Sequence, residues 1–161
     1  METAAINNTL SLLLEILTQC KSKTQNYINT QNSAIWVKFE IDEKEFKAAK
    51  LAAKQFSSSL VHDIDLADMH AANIAGLICK ADEAMNNELT LSLCNIFNQY
   101  AQWAKEAKGF ICFADKCFAD KCFAHKTELS FSSLLSASRK LHSATEHICE
   151  ALNNTTNSLK K

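Results

Sequence analysis

The strongest chemical signal in the sequence is a five-residue unit written three times, CFADKCFADKCFAHK, which occupies residues 112–126. Its three cysteines recur in register and a histidine follows the last of them, which gives the spacing C-x4-C-x4-C-x2-H. Three thiolates and one imidazole suit tetrahedral zinc, and thiolates also bind copper. The sequence therefore offers Cys112, Cys117, Cys122 and His125 as candidate metal ligands.

The same repeat has features that do not favour a metal site. Its spacers, Phe-Ala-Asp-Lys, contain no Gly or Pro to turn the chain, and the compact C-x2-C pair of many zinc sites is missing. In an α-helix, each step of five residues advances about 500°, so successive cysteines point about 140° apart and the helix is apolar nearly all round. A packing helix with cysteines as small hydrophobic residues, a metal-binding loop and a redox or disulfide segment all stay open.

A second cluster of potential ligands, HDIDLADMH, spans residues 62–70. Carboxylate and imidazole groups at this density can hold a divalent metal ion. Acidic side chains are also typical of a first helical turn, where the helix dipole stabilises them. We interpret residues 62–65 as a polar turn, and we expect Asp63 or Asp65 to cap the helix that follows.

Known catalytic signatures are missing from the sequence. It contains no P-loop, no G-x-G-x-x-G, no G-x-S-x-G and no H-E-x-x-H motif, and no Glu-x-x-His pair of the kind that di-iron bundles use. With only two glycines in the chain, a glycine-rich phosphate cradle is excluded. We therefore expect a protein that is not an enzyme and needs no cofactor, with bound zinc as the alternative.

The elements that position these residues are predicted to be helices. The chain has 161 residues, about one domain, with 2 Gly and 0 Pro where average usage gives about 11 and about 8. Hairpins depend on glycine turns, whereas helices run long without either residue. The composition predicts an all-α fold in a single domain over residues 1–161.

Apolar residues at alternating steps of three and four predict where the helices lie. We expect helices over about residues 3–31, 34–61, 65–107 and 127–154, packed as an antiparallel bundle of four, or of five if the third breaks near Asn86. Residues 35–41 also fit a strand, Gly109 is a plausible C-cap, and residues 153–161 are predicted to fray.

Charge and cysteine content bound the partners and the compartment. The net charge is -1 with a single arginine, which does not favour a nucleic-acid partner, and no apolar stretch is long enough for a transmembrane helix. Seven cysteines, an odd number, favour free thiols in a reducing compartment. We expect a soluble cytoplasmic protein, with a mature secreted fragment as the alternative.

Three functions compete on these observations. The first is a non-enzymatic bundle that binds another protein or a second copy of itself. The candidate interface residues are the phenylalanines Phe110, Phe113, Phe118 and Phe123. The second is a metal or thiol bundle built on the repeat. The third is a bundle that binds an apolar ligand or lipid and requires a real cavity.

Overall fold

A computed structural model describes residues 2–34, 43–80, 87–119 and 128–159. Every residue in these ranges is helical, and the fold class predicted from composition is confirmed. The described part of the chain forms four helices: α1 (Glu2–Ala34), α2 (Glu43–Lys80), α3 (Asn87–Ala119) and α4 (Glu128–Leu159). Within these ranges, no helix is both long enough and apolar enough to cross a bilayer.

The four helices pack in a ring in which each contacts its two sequence neighbours and α4 returns to α1. Two side-chain contacts give the relative directions of α2 and α3. Phe46, near the start of α2, packs on Phe118 at the end of α3, whereas Asp68, further along α2, meets Tyr100 of the earlier part of α3. These two helices therefore run antiparallel, as neighbours do in an up-down-up-down bundle.

Each helix buries one stripe of apolar side chains. In α1 the stripe predicted at steps of three and four is inside, because every member is at most 7% exposed. The stripe members are Ile6, Leu10, Leu13, Leu17, Cys20, Thr24 and Tyr27. The apolar residues of α4 behave in the same way, and together the stripes form one continuous core.

The predicted turn at residues 62–65 is wrong, because α2 passes through it without interruption. Leu60, Ile64 and Ala67 keep the buried stripe in step across this region. Asp63 also points inward and is only 4% exposed. A carboxylate such as Asp63 among apolar residues is typical of a turn. In this fold Asp63 stays inside the helix because Lys23 of α1 forms an ion pair with it.

Other boundaries also differ from the sequence prediction. Gly109 is not a C-cap, because α3 continues to Ala119 with ordinary helical backbone. The alternative of a break near Asn86 agrees with the end of α2 at Lys80 and the start of α3 at Asn87. The ambiguous residues 35–41 lie outside the described ranges, and α4 is helical to Leu159 with Thr155 and Thr156 buried.

Candidate functional site

The five-residue repeat enters the fold as the end of α3, which is helical through Ala119. Cys112 is exposed and Cys117 is 7% exposed, as expected when five residues rotate a helix by about 140° past a full turn. Cys122 and His125 lie outside the described residues. The two described cysteines thus occupy different faces of one helix.

A metal site at the repeat stays a prediction. Within the described ranges, no group of three or more His, Cys, Asp or Glu side chains could hold a metal ion. Cys112 faces solvent and Cys117 faces the core, so their thiols do not converge on one point while this part of α3 is helical.

The phenylalanines proposed as an interface divide in the same way. Phe110 is 1% exposed and contacts the rings of Tyr27 and Phe56, while Phe118 is 5% exposed. These two rings offer almost no surface to a partner of the folded bundle. Phe113 is half-buried, and Phe123 lies outside the described residues.

The acidic cluster at residues 62–70 connects helices. Lys23 donates from Nζ to Ser59 Oγ at 3.0 Å, and the same nitrogen lies 3.3 Å from Asp63 Oδ1. Asp68 accepts a hydrogen bond from the Tyr100 hydroxyl of α3. Asp63 therefore links α2 to α1, and Asp68 links α2 to α3. The two carboxylates do not share a metal ion.

The thiol of Cys20 is fully buried and close enough to Asp63 to feel its charge. Burial, reinforced by the negative charge of Asp63, raises its pKa to about 12. Thr24 donates to the Cys20 carbonyl at 2.7 Å. Because the thiolate is the reactive form, this cysteine is inert near neutral pH. Burial also raises the pKa of Cys149, so neither thiol is an activated nucleophile.

A groove of about 350 Å³ lies between α2 and α3. Among the described residues, its buried lining consists of Ala53 and Ser57 from α2 and of Ala114 and Phe118 from α3, which are between 1% and 7% exposed. Three of these four side chains are small, so the two helix surfaces leave space where larger residues would interdigitate. The Phe118 ring packs on Phe46 with centroids 5.6 Å apart.

The Ser57 hydroxyl is the unusual group in this lining. It is buried, with no hydrogen-bond partner anywhere in the described ranges. A buried serine in a helix normally bonds the carbonyl four residues earlier, as Ser138 does to Leu134 at 2.8 Å. Ser57 does not, although an unpaired buried hydroxyl costs about 1–3 kcal/mol. The Ser57 hydroxyl is therefore an unpaired polar group beneath the wall of the groove, with almost no accessible surface of its own.

The rim of the groove is charged. Lys50 and Lys54 of α2 and Asp115 of α3 are exposed beside the buried lining. Neither lysine forms an ion pair with a residue of the described helices. Two lysines against one aspartate leave the rim with one positive charge in excess.

Two further grooves lie on the bundle. The α1–α2 groove, about 400 Å³, shares a feature of the first, because it includes Tyr27, whose buried hydroxyl also has no partner in the described ranges. Burial raises the pKa of that hydroxyl. The α3–α4 groove, about 370 Å³, has no unpartnered buried side-chain atom among its described lining residues.

Comparisons of the chain with protein-family models, with curated proteins and with solved structures find no match. Any function proposed for this chain therefore rests on the geometry of the described helices and not on similarity to a known protein. Sequence reasoning did not single out Lys50, Lys54 or Ser57. The available signal was Ser57 itself, a polar residue four positions after Ala53 on the buried stripe, but it is hidden in the run Ser57-Ser58-Ser59.

Proposed function

We propose that this chain is a non-enzymatic binding protein that holds a small, partly apolar molecule in the groove between α2 and α3. The observation that carries the proposal is the Ser57 hydroxyl, buried on the groove wall without a partner in the described helices. Buried polar groups in folded proteins are paired in the large majority of cases, so an unpaired one beneath a groove is a candidate ligand contact when the groove opens to admit the ligand.

The groove has the composition of a small-molecule site. Such sites are mostly apolar, hold a few placed polar groups, and start at volumes of about 300 Å³. Ala53, Ala114 and Phe118 form its apolar floor but are only 1–5% exposed, so a ligand gains its apolar contact mainly from the aliphatic stems of Lys50 and Lys54 at the rim. Ser57 fixes orientation, because a ligand oxygen there pairs a hydroxyl that the fold leaves unpaired.

A titration of the 15N-labelled chain with n-octanol, followed by amide chemical shifts, tests this proposal. We expect saturable shifts in the turns of α2 and α3 that carry Ala53, Ser57 and Ala114. Ser57→Leu fills the groove with its own side chain and should abolish them. Ser58→Leu adds the same side chain one position away, on the exposed face, and should not. Equal shifts in both variants would contradict the proposal.

The other two functions stay predictions. The fold gives little support to protein binding or self-association through the phenylalanines, since Phe110 and Phe118 pack inside the bundle. Metal binding gains little either, because Cys112 and Cys117 diverge on α3. Sedimentation of the purified chain and its zinc content test these two functions directly.

A further inference from the structure

We propose that the outer face of α2, the side of the helix opposite its buried stripe, is a self-association surface. A second copy of this chain docks there with its own α2 antiparallel to the first. The inference concerns a different surface from the groove and goes beyond the proposed function. It also differs from association through the phenylalanines, because the residues that carry it are exposed in the fold.

The outer face of α2 carries exposed apolar side chains in register. Five large hydrophobic residues are exposed in the described ranges, and three of them, Leu51, Val61 and Met69, belong to α2. Leu51 is 56% exposed and Met69 is 51% exposed. The fully buried Leu60 is nine residues, or two and a half turns, from each of them, so both point directly away from the core. Two such residues on one face suit a helical partner better than a solvated surface does.

An antiparallel second copy brings these two apolar residues together. When two antiparallel helices are related by a two-fold axis at the level of position 60, residues equally far before and after that position meet across the contact. Leu51 of each copy then packs on Met69 of the other, because each is nine residues from the centre. Both exposed side chains are covered by one symmetric contact.

The same register pairs opposite charges. Lys54 lies six residues before position 60 and Asp65 five residues after it, so the two meet with an offset of about 1.5 Å along the axis. Both are exposed and flank the same side of the line from Leu51 to Met69, as an antiparallel pair requires. Neither forms an ion pair within the described helices. The two-fold axis makes this contact twice.

The distribution of charge along α2 selects the antiparallel direction. Between residues 46 and 61 every charged residue is a lysine, and between residues 63 and 79 every one is an aspartate, with histidine counted as neutral. A parallel copy sets lysines beside lysines and aspartates beside aspartates, which is unfavourable. An antiparallel copy sets the basic half of one helix against the acidic half of the other. The chain is therefore complementary to itself.

The size of this face predicts a weak dimer. From Lys44 to Gly76 the helix is about 48 Å long, and with its side chains it is about 10–12 Å wide. Two such faces bury about 1,000 Å² in total, which is at the lower end for specific complexes. Because only part of this area is apolar, we expect a dissociation constant of about 0.1 mM and a monomer in dilute solution.

Sedimentation velocity of the full chain from about 10 µM to about 500 µM, with a reducing agent to keep exposed thiols such as Cys112 from cross-linking, tests the inference. We expect a reversible monomer–dimer equilibrium that weakens in added salt. Leu51→Gln should raise the dissociation constant at least about fivefold, since the lost apolar contact occurs twice. Leu91→Gln is the matched control, because Leu91 is 70% exposed on α3 and should not affect association.

A charge swap tests the register itself. Lys54→Glu alone and Asp65→Lys alone each set like charges against each other and should weaken association about tenfold. The double variant, Lys54→Glu with Asp65→Lys, restores opposite charges between copies and should return the dissociation constant to within about threefold of the wild type. The two positions are about 16 Å apart along one helix, so the recovery cannot arise within a single copy. Circular dichroism checks that each variant is folded.

The outcomes support or overturn the inference separately from the groove. A chain that stays monomeric at about 500 µM overturns it, since this is above the expected dissociation constant. Association that Leu51→Gln and Lys54→Glu leave unchanged also overturns it and places the contact on another surface, such as the phenylalanines. Weakening in both single charge variants without recovery in the double variant overturns the antiparallel register. None of these results alters the octanol titration, which tests the groove alone.

Discussion

Asp63 and Ser57 are two polar side chains on the buried side of α2, and only Asp63 has a partner among the described residues. Asp63, at the α1–α2 contact, is 4% exposed and has Lys23 at 3.3 Å. Ser57, at the α2–α3 groove, is 7% exposed and has no partner in the described ranges. A buried carboxylate without a partner is too costly to keep, whereas an unpaired hydroxyl costs about 1–3 kcal/mol and is tolerated. The difference separates a polar group that holds two helices together from one that the described helices leave unpaired.

The largest expected effect comes from removing the partner of Asp63. Lys23→Met leaves a buried carboxylate unpaired and should lower the free energy of unfolding by about 2–3 kcal/mol, at the lower end for buried pairs because Lys23 is partly exposed. Urea denaturation measures the loss. Lys105→Met, on an exposed position, should change stability by less than about 0.5 kcal/mol. Equal losses in the two variants would show that the pair does not stabilise the fold.

The next effect uses the Cys20 thiol, which lies near Asp63. Its pKa is about 12 in the folded chain against 9.0 as the reference value, so between these values the unfolded chain has released the proton and the folded chain has not. Stability should therefore fall as pH rises from 9 toward 12, by up to about 1.4 kcal/mol per pH unit from this group alone.

The Cys20→Ala variant isolates that contribution. It is less stable at every pH because it loses core packing, but its stability should decline less steeply above pH 9. Cys112→Ala, at an exposed thiol, should keep the steep decline. Identical slopes in the wild type and the Cys20→Ala variant would show that the thiol titrates normally and is not buried as described.

Three consecutive serines provide the sharpest test of the comparison. Ser58 is exposed, so Ser58→Ala should gain only helix propensity, about 0.5 kcal/mol. Ser57→Ala gains the same amount and also removes an unpaired buried hydroxyl, so it should be about 1 kcal/mol more stable than Ser58→Ala. Ser59→Ala loses a bond from Lys23 and should gain nothing. Thermal unfolding without ligand measures all three, and a Ser57→Ala variant less stable than Ser58→Ala would show that the hydroxyl has a partner.

The smallest effect concerns the α3–α4 groove. Gly109 lines it in ordinary helical backbone, and a Cβ there meets nothing within 4 Å. Gly109→Ala should therefore raise the free energy of unfolding by about 0.5–1 kcal/mol through a smaller loss of chain entropy. It should leave n-octanol affinity unchanged, and an altered affinity would move the binding site to this second groove.

The sequence was sufficient for the fold because helical periodicity is a local property. The stripe of α1 from Ile6 to Tyr27 is buried as predicted, and the rotation of the repeat separates Cys112 from Cys117 as helix geometry requires. The failed boundaries have local causes as well. Asp63 and Gly109 carry turn and cap signals, and contacts with other helices override these signals.

The groove could not be predicted, because it depends on which residues of α2 and α3 lie opposite each other. Ala53 and Ala114 are 61 positions apart, and only their juxtaposition leaves the space. Ser57 reads as one of three polar serines, and its missing partner is a property of the packed bundle. A site made of small residues and one unpaired hydroxyl has no sequence motif of its own.

The most direct test of the central claim is the dissociation constant of n-octanol, measured by isothermal titration under one buffer condition for three proteins: the wild type, Ser57→Leu and Ser58→Leu. If the Ser57 groove binds the ligand, the wild type and Ser58→Leu bind equally and Ser57→Leu binds at least about tenfold more weakly while remaining folded. If Ser57→Leu binds as tightly as Ser58→Leu, the ligand does not occupy this groove and the account is contradicted.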